Sequence, residues 1–306
     1  MQTNPPESNQ RIQLGAIPAF ITRIAPFLLP ALFFQSAIFA FISPLPLFIL
    51  TLRNQLWLSV VALITNACLL YSMGTRTEFN VSVFLWMMIG VFFPFLIRKY
   101  GRIKKSFALS FLVFVSVMVG FLFYFSHQAN LNPAEYLRTE ISLGVDHMAA
   151  IPDSPIKKLI EEDGRENILK ELMTELPSGI LISIILAFWI NLLFASQLMG
   201  GFLSKAFWST YRNPEWLIWP TLGFAALFAF TDHAPYFVGL NGFKVLLVFY
   251  GFQGLSVLSF ILNRFKVLGF GRAVLFAFSI FLAMPIVLSL GFFDLWFDFR
   301  RKFGQS

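Results

Sequence analysis

One cysteine in 306 residues, Cys68, leaves no disulfide framework and no cysteine-based metal site, and its place in an apolar run predicts a small core residue. The three histidines, His127, His147 and His233, are too scattered to put two ligands on one helical face, so no metal site is expected. Asp146-His147 and Asp232-His233 are adjacent pairs, but neighbouring residues on a helix point in different directions. There is no Gly-x-Ser-x-Gly elbow, phosphate-binding glycine loop or dinucleotide fingerprint, and no nucleophile–base constellation. Glu161-Glu162-Asp163-Gly164-Arg165 has the wrong spacing for an intramembrane protease motif and reads as a solvated face. These absences argue against an enzyme, and none of the residues present requires a cofactor. Charge is also scarce, at 13% of residues.

What the chain has is apolar surface. Hydrophobic residues make up 57% of it, and phenylalanine alone occurs 40 times. A soluble chain of this size cannot bury so much, so lipid must solvate many of these side chains. The apolar segments are continuous runs, not the alternating stretches of a membrane barrel. The fold class is all-α: a polytopic transmembrane helical bundle of about eight spans, with an acidic extramembrane helical insert.

With roughly 20 apolar residues needed per span, the runs fall at 16–41, 55–73, 80–97, 105–126, 178–200, 216–231, 236–262 and 272–293. The chain then divides into a polar tail (1–14), N-terminal transmembrane helices (15–126), an acidic insert (127–177), C-terminal transmembrane helices (178–296) and a basic tail (297–306). The polar start carries no cleavable signal pattern, so the first apolar segment is expected to stay as a span. Between Ser43 and Arg53 two prolines, Pro44 and Pro46, interrupt the apolar sequence. That stretch is a tight turn, a short re-entrant piece or the start of a long second helix, an ordinary turn being preferred.

The insert has two helix starts, Asn132-Pro133-Ala134-Glu135 and Asp153-Ser154-Pro155. An amphipathic stripe follows, formed by Ile168, Leu169, Leu172, Met173 and Leu176, and Pro177 is expected to end it. The interval 127–177 holds ten acidic and five basic residues, against six acidic and eighteen basic elsewhere. Basic residues cluster beside apolar runs, as at Arg98-Lys99-Tyr100-Gly101-Arg102-Ile103-Lys104-Lys105. This is the pattern of cytoplasmic loops, so the net charge of +7 does not indicate nucleic-acid binding. With that loop inside, Lys205, Arg212, Arg264, Lys266 and Arg272 also fall inside. Arg300-Arg301-Lys302 falls outside on a count of eight, so the end of the chain conflicts with the rest.

Polar residues at membrane depth are the candidates for function. Asn66, Asn191 and Gln253 lie well within spans, and each amide must find a partner. Lys244 shares a span with Gln253 and either serves a site or snorkels to the surface; Arg23, nearer its helix end, favours snorkelling. Gly239, Gly242, Gly251 and Gly254 permit close helix approach or local unwinding, while Pro220 and Pro285 predict kinks. Broken helices around a midplane site recur in transporters. These features make Asn191, Asn241, Lys244 and Gln253 a candidate ligand pocket for a small-molecule solute. The alternative is interhelical bonding that fixes packing. The expected partners are the lipid bilayer, a solute and a membrane partner subunit; a scaffold recruiting proteins through the acidic insert is the rival reading.

Tyr211-Arg212-Asn213-Pro214-Glu215-Trp216 reads as a helix start: Asn213 the cap, Pro214 the first helical residue, Glu215 at the positive end of the dipole. Trp216 and Trp219 add an interfacial aromatic pair. This stretch also carries a resemblance, together with Ser43-Pro44-Leu45-Pro46, Tyr250-Gly251-Phe252-Gln253-Gly254-Leu255 and Gly291-Phe292-Phe293-Asp294 through Arg300-Arg301. In that order they resemble the bacterial predicted membrane proteins typified by YybS. The resemblance implies a cytoplasmic (inner) membrane protein of about eight helices. In outline it also implies a fold similar to the substrate-binding membrane subunits of energy-coupling-factor vitamin transporters. No vitamin-specific motif accompanies it, and no binding residue is transferred.

Overall fold

Helices account for nearly all of the described backbone in the computed structural model, which describes residues 23–36, 39–73, 76–199, 209–230 and 233–304. The polar tail at 1–14, the start of the first apolar run, Lys205 and Asp232 lie outside the described residues. By contacts the chain forms two units: 1–133 with 183–203, and 134–182 with 204–306.

In the first unit, α1 (Ala25–Phe34) is followed by a 3-10 turn at Ala40–Ile42, α2 (Leu45–Leu52) and α3 (Leu56–Ser72). Next comes α4 (Arg76–Leu85), which runs through a π-helical stretch at Trp86–Phe92 into α5 (Phe93–Tyr100). Gly101, left-handed at φ 64°, closes α5 before α6 (Ile103–Gln128). The stretch with two prolines is thus neither a plain turn nor the start of a long helix. It is a short helix whose eight residues are all buried. At ~1.5 Å per residue it rises only about 12 Å and cannot cross a membrane alone. It packs on the π-helical stretch, where a Cβ on Gly90 would sit 2.9 Å from Leu47 Cβ and 3.1 Å from the Pro44 carbonyl. Trp86 Nε1 donates to Ser43 Oγ (2.9 Å), and Thr51 Oγ1 donates to the Gly90 carbonyl (3.1 Å), so the contact is polar as well as close.

The second unit begins with the acidic segment, α7 (Pro133–Ala149) and α8 (Pro155–Asp163), at the expected starts. The following helix, α9 (Arg165–Leu198), corrects the sequence reading: it passes through Pro177 without a break. The amphipathic stripe and the fifth apolar run are one helix, whose first part belongs to the second unit and whose last part belongs to the first. A 3-10 turn at Glu215–Leu217 leads into α10 (Ile218–Phe228), and α11 (His233–Arg264) follows. Pro220 lies in the first turn of α10, where its missing N–H breaks no rung, so it makes no mid-helix kink. The kink expected at Pro285 is a full break: α12 (Gly269–Phe281) and α13 (Met284–Phe297) meet at 92°. A short α14 (Phe299–Gly304) follows Asp298, which is left-handed at φ 43°.

The glycines of α11 set the packing of this unit. A Cβ on Gly239 would overlap the Leu227–Phe228 backbone, and one on Gly242 the Phe224 ring, so both admit α10. A Cβ on Gly254 would overlap the Val287 carbonyl, and one on Gly291 the Tyr250 carbonyl, so α11 and α13 meet backbone to backbone.

Among the described residues, four helices are long and apolar enough to cross a membrane: Phe79–Tyr100, Ile103–Gln128, Arg165–Leu198 and Pro235–Arg264. The bent pair Gly269–Phe281 and Met284–Phe297 makes a fifth if counted as one span. Shorter apolar helices, including α1, α3 and α10, make up the rest of the apolar runs. Cys68 departs from expectation. It is exposed on α3, because that helix buries the opposite face through Ser59, Ala62, Asn66 and Leu70.

Candidate functional site

The asparagines within the apolar helices have a shared task set by proline. In α1, Pro30 has no N–H for the Pro26 carbonyl. Asn66 of α3 fills that place: its Nδ2 donates to Pro26 O (2.7 Å), and its Oδ1 accepts from Ala31 N (3.0 Å). Asn241 of α11 braces the rung next to Pro177 of α9. Its Oδ1 accepts from Ser178 N (2.8 Å) and its Nδ2 donates to Thr174 O (3.0 Å), the two groups one regular helical rung would join. This explains why α9 survives its proline. Three residues on, Lys244 pairs with Glu175 of α9, which places its charge against a carboxylate one turn from Pro177.

Asn191 belongs to the first unit. Its Nδ2 donates to the Phe41 and Ala187 carbonyls, both at 2.7 Å, while its buried Oδ1 has no partner among the described residues. A cavity of about 190 Å³ beside these carbonyls is lined by Phe34, Ala40, Phe41, Pro44, Ile89 and Ala187, among others, and is almost wholly apolar. Of the expected pocket residues, the three in the second unit lie along α11: Asn241 and Lys244 meet α9, and Gln253 lies about 18 Å beyond Asn241 at helical rise.

Gln253 does reach a site, one built largely from residues that the sequence reading did not select. Asp294 of α13 is fully buried. Its Oδ2 accepts from Gln253 Nε2 (2.9 Å) and from Arg300 Nη2 (2.6 Å), and its Oδ1 accepts from Phe299 N (3.1 Å). Arg300, only 13% exposed along its side chain, also donates through Nη1 to the Tyr211 carbonyl (2.9 Å), the Ser209 carbonyl (3.2 Å) and Ser256 Oγ (3.3 Å). Gln253 Oε1 accepts from Asn213 N (2.9 Å), and Asn213 Nδ2 donates to the Phe249 carbonyl (2.9 Å). Burial pushes the Tyr211 hydroxyl up to about 12, so it remains the donor to Asn213 Oδ1 (2.9 Å) at ordinary pH.

Asn213 therefore does not cap the helix that follows. That start has no side-chain cap, and Pro214 occupies the N-cap position. The amide is taken by α11 instead. Arg212 lies alongside, donating to the Asp294 carbonyl (3.4 Å) and 3.7 Å from Asp298. Trp216 and Trp219 are largely exposed, as interfacial anchors should be.

The acidic segment is held by arginines. Arg165 donates to both oxygens of Asp146 (3.0 and 2.8 Å) and to Ser142 (2.6 Å), and Arg138 reaches Glu166 (2.7 Å). The bond from Arg165 lowers the Asp146 carboxyl below its ordinary value. His147 is exposed, and the side chain of His233 lies outside the described residues. Among the described residues, no three of His, Cys, Asp or Glu gather as metal ligands.

Long apolar helices, a buried ion pair and exposed interfacial tryptophans define a multi-pass helical membrane protein. The chain belongs to the DUF2232 family of predicted membrane proteins, whose pattern matches residues 17–295. No curated protein and no solved structure gives a match.

Proposed function

We propose that this protein is a solute-binding or transport-related protein of the bacterial cytoplasmic membrane. Its polar site is the centre of Gln253, Asp294 and Arg300, supported by Asn213. The observation that carries this reading is the fully buried Asp294 carboxylate between an amide and a guanidinium. Charges buried in a membrane chain are costly, a paired one adds little net stability, and such residues recur along solute and ion pathways. A solute with a carboxylate, amide or hydroxyl can exchange partners with these groups. Lys244 and Asn241 lie along the same helix at the Pro177 contact, and the α12–α13 break adds the discontinuous helix common in transporters. The eight-span count rests on the shorter apolar helices crossing in part or in pairs. The outline similarity to energy-coupling-factor subunits and to the YybS-typified proteins fits the same reading, with a membrane subunit as partner.

The test is a thermal-shift screen of the full-length protein against amino acids, nucleosides and water-soluble vitamins. A solute that raises the melting temperature of wild type by several degrees, but not that of Gln253→Leu or Asp294→Asn, supports the proposal. It fails if both variants fold and keep the response. The scaffold reading has its own support in the acidic segment, which exposes Leu143 on α7, Leu159 on α8 and Ile151 between them. Deleting 133–163 would then abolish partner capture and leave the solute response intact.

A further inference from the structure

A second cavity, of about 210 Å³, lies in the first unit where α2 ends, α3 begins and α5 ends. It is lined by Thr51, Asn54, Leu56, Phe95, Arg98 and Lys99. Two features of its wall favour an anion. Arg98 and Lys99 are both exposed in the last turn of α5; one Arg98 nitrogen donates to the Thr51 carbonyl (3.3 Å), which fixes the guanidinium at the rim. The second feature is the start of α3, a 17-residue helix whose N-cap residue Gln55 makes no side-chain capping bond. Its first N–H groups are directed out of the helix end beside Leu56, and a helix N-terminus of this kind attracts phosphate. Asn54, left-handed at φ 67°, makes the turn that sets this helix start against the cations.

Part of the lining is apolar. Leu56 and Phe95 are both more than a third exposed, and Trp57, which follows Leu56 at the start of α3, is 77% exposed. The remaining charges nearby are of one sign: Arg53, Arg102, Lys104 and Lys105 flank it in sequence. Between Arg53 and Lys105 the sequence holds one carboxylate, Glu78, which is 17 residues or more from any lining position. A free phosphate would use the cations and the helix start but not the apolar rim. A phospholipid uses all three, with its phosphate in the cavity and its chains along Leu56, Trp57 and Phe95. Basic pockets between membrane helices hold anionic headgroups in this way.

We infer that this cavity is a binding site for the phosphate of an anionic phospholipid. Arg98 and Lys99 supply the charge, the start of α3 supplies backbone donors, and Trp57 and Phe95 receive the acyl chains. The site is independent of the Asp294 centre and of any solute bound there.

The full-length protein in detergent is titrated with phosphatidylglycerol, with phosphatidylcholine and with inorganic phosphate, and binding is read by native mass spectrometry and thermal shift. Wild type binds phosphatidylglycerol in preference to phosphatidylcholine. Arg98→Gln with Lys99→Gln weakens phosphatidylglycerol binding by about 25-fold, given that each basic residue near an anionic headgroup contributes roughly fivefold. Arg98→Lys with Lys99→Arg retains most of it. The control pair Arg301→Gln with Lys302→Gln removes the same charge from α14 and leaves binding within about twofold. Equal losses in the two Gln pairs, no loss in the first pair when it is folded by circular dichroism, or an equal response to inorganic phosphate alone would each overturn the inference.

Discussion

At the scale of single residues, proline and asparagine have to be read together. Pro30 and Pro177 remove backbone donors inside helices, and Asn66 and Asn241 bridge the interrupted turns from neighbouring helices. Replacing either asparagine with leucine leaves buried backbone groups without a partner, at about 1–3 kcal/mol. Denaturant unfolding in detergent should show this loss for Asn66→Leu and Asn241→Leu. A loss below about 0.5 kcal/mol in Asn241→Leu would mean that water replaces the amide. The Asp294–Arg300 pair predicts a non-additive result. Arg300→Leu strands a buried carboxylate, and removing one partner of such a pair costs about 3–5 kcal/mol. The double variant Asp294→Leu with Arg300→Leu should lose less than the two single losses combined, as a double-mutant cycle measures.

Elements depend on how closely they approach. The α11–α13 contact exists because Gly254 and Gly291 present no Cβ to the facing carbonyls. Gly254→Ala or Gly291→Ala must push the helices apart and with them Gln253 and Asp294. Each should abolish the thermal response tested above and lower stability by an amount comparable to core overpacking, about 1–3 kcal/mol or more. In the acidic segment the Arg165 bond lowers the Asp146 carboxyl, so its contribution is present above the ordinary value of 3.8 and is lost as pH falls through the lowered value. Hydrogen exchange over α7 and α8 should accordingly differ between wild type and Asp146→Asn at pH 6, and the difference should shrink below pH 3.8. A gap that widens on acidification would reverse the sign and refute the assignment.

Across the whole molecule, the exposed aromatic residues report which surface meets lipid. Trp57, Trp216 and Trp219 are 77, 64 and 73% exposed, whereas Trp86 is fully buried. In single-tryptophan variants reconstituted with brominated lipid, the first three should be quenched strongly and Trp86 weakly. Much of the class was legible in the chain: apolar abundance marked it as a helical membrane protein, and the proline-led starts of α7 and α8 were placed correctly. Less legible were the ends and partners. Pro177 read as a stop because a sequence shows the missing donor but not the amide that braces the adjacent rung. Asn213 read as a cap because the competing acceptor, the Phe249 carbonyl, lies 36 residues away. Asp294 was noticed only as part of a family stretch, since a lone acid near a helix end looks solvated until its partners are known. Of the basic residues near the C-terminus, Arg300 is paired inside the protein with Asp294, whereas Arg301 and Lys302 are exposed.

Composition and hydrophobic run length alone determined that this chain is all-α and resides in a membrane, because the transfer of apolar surface into lipid depends on amount and continuity, not on partners. They also located the polar residues that had to be satisfied at depth. Only the tertiary structure decided how. It sent Asn241 to the turn around Pro177 in α9, Gln253 to a carboxylate in α13 and Asn191 to the Phe41 carbonyl within its own unit, because a hydrogen bond is a contact between two groups and the sequence names just one of them.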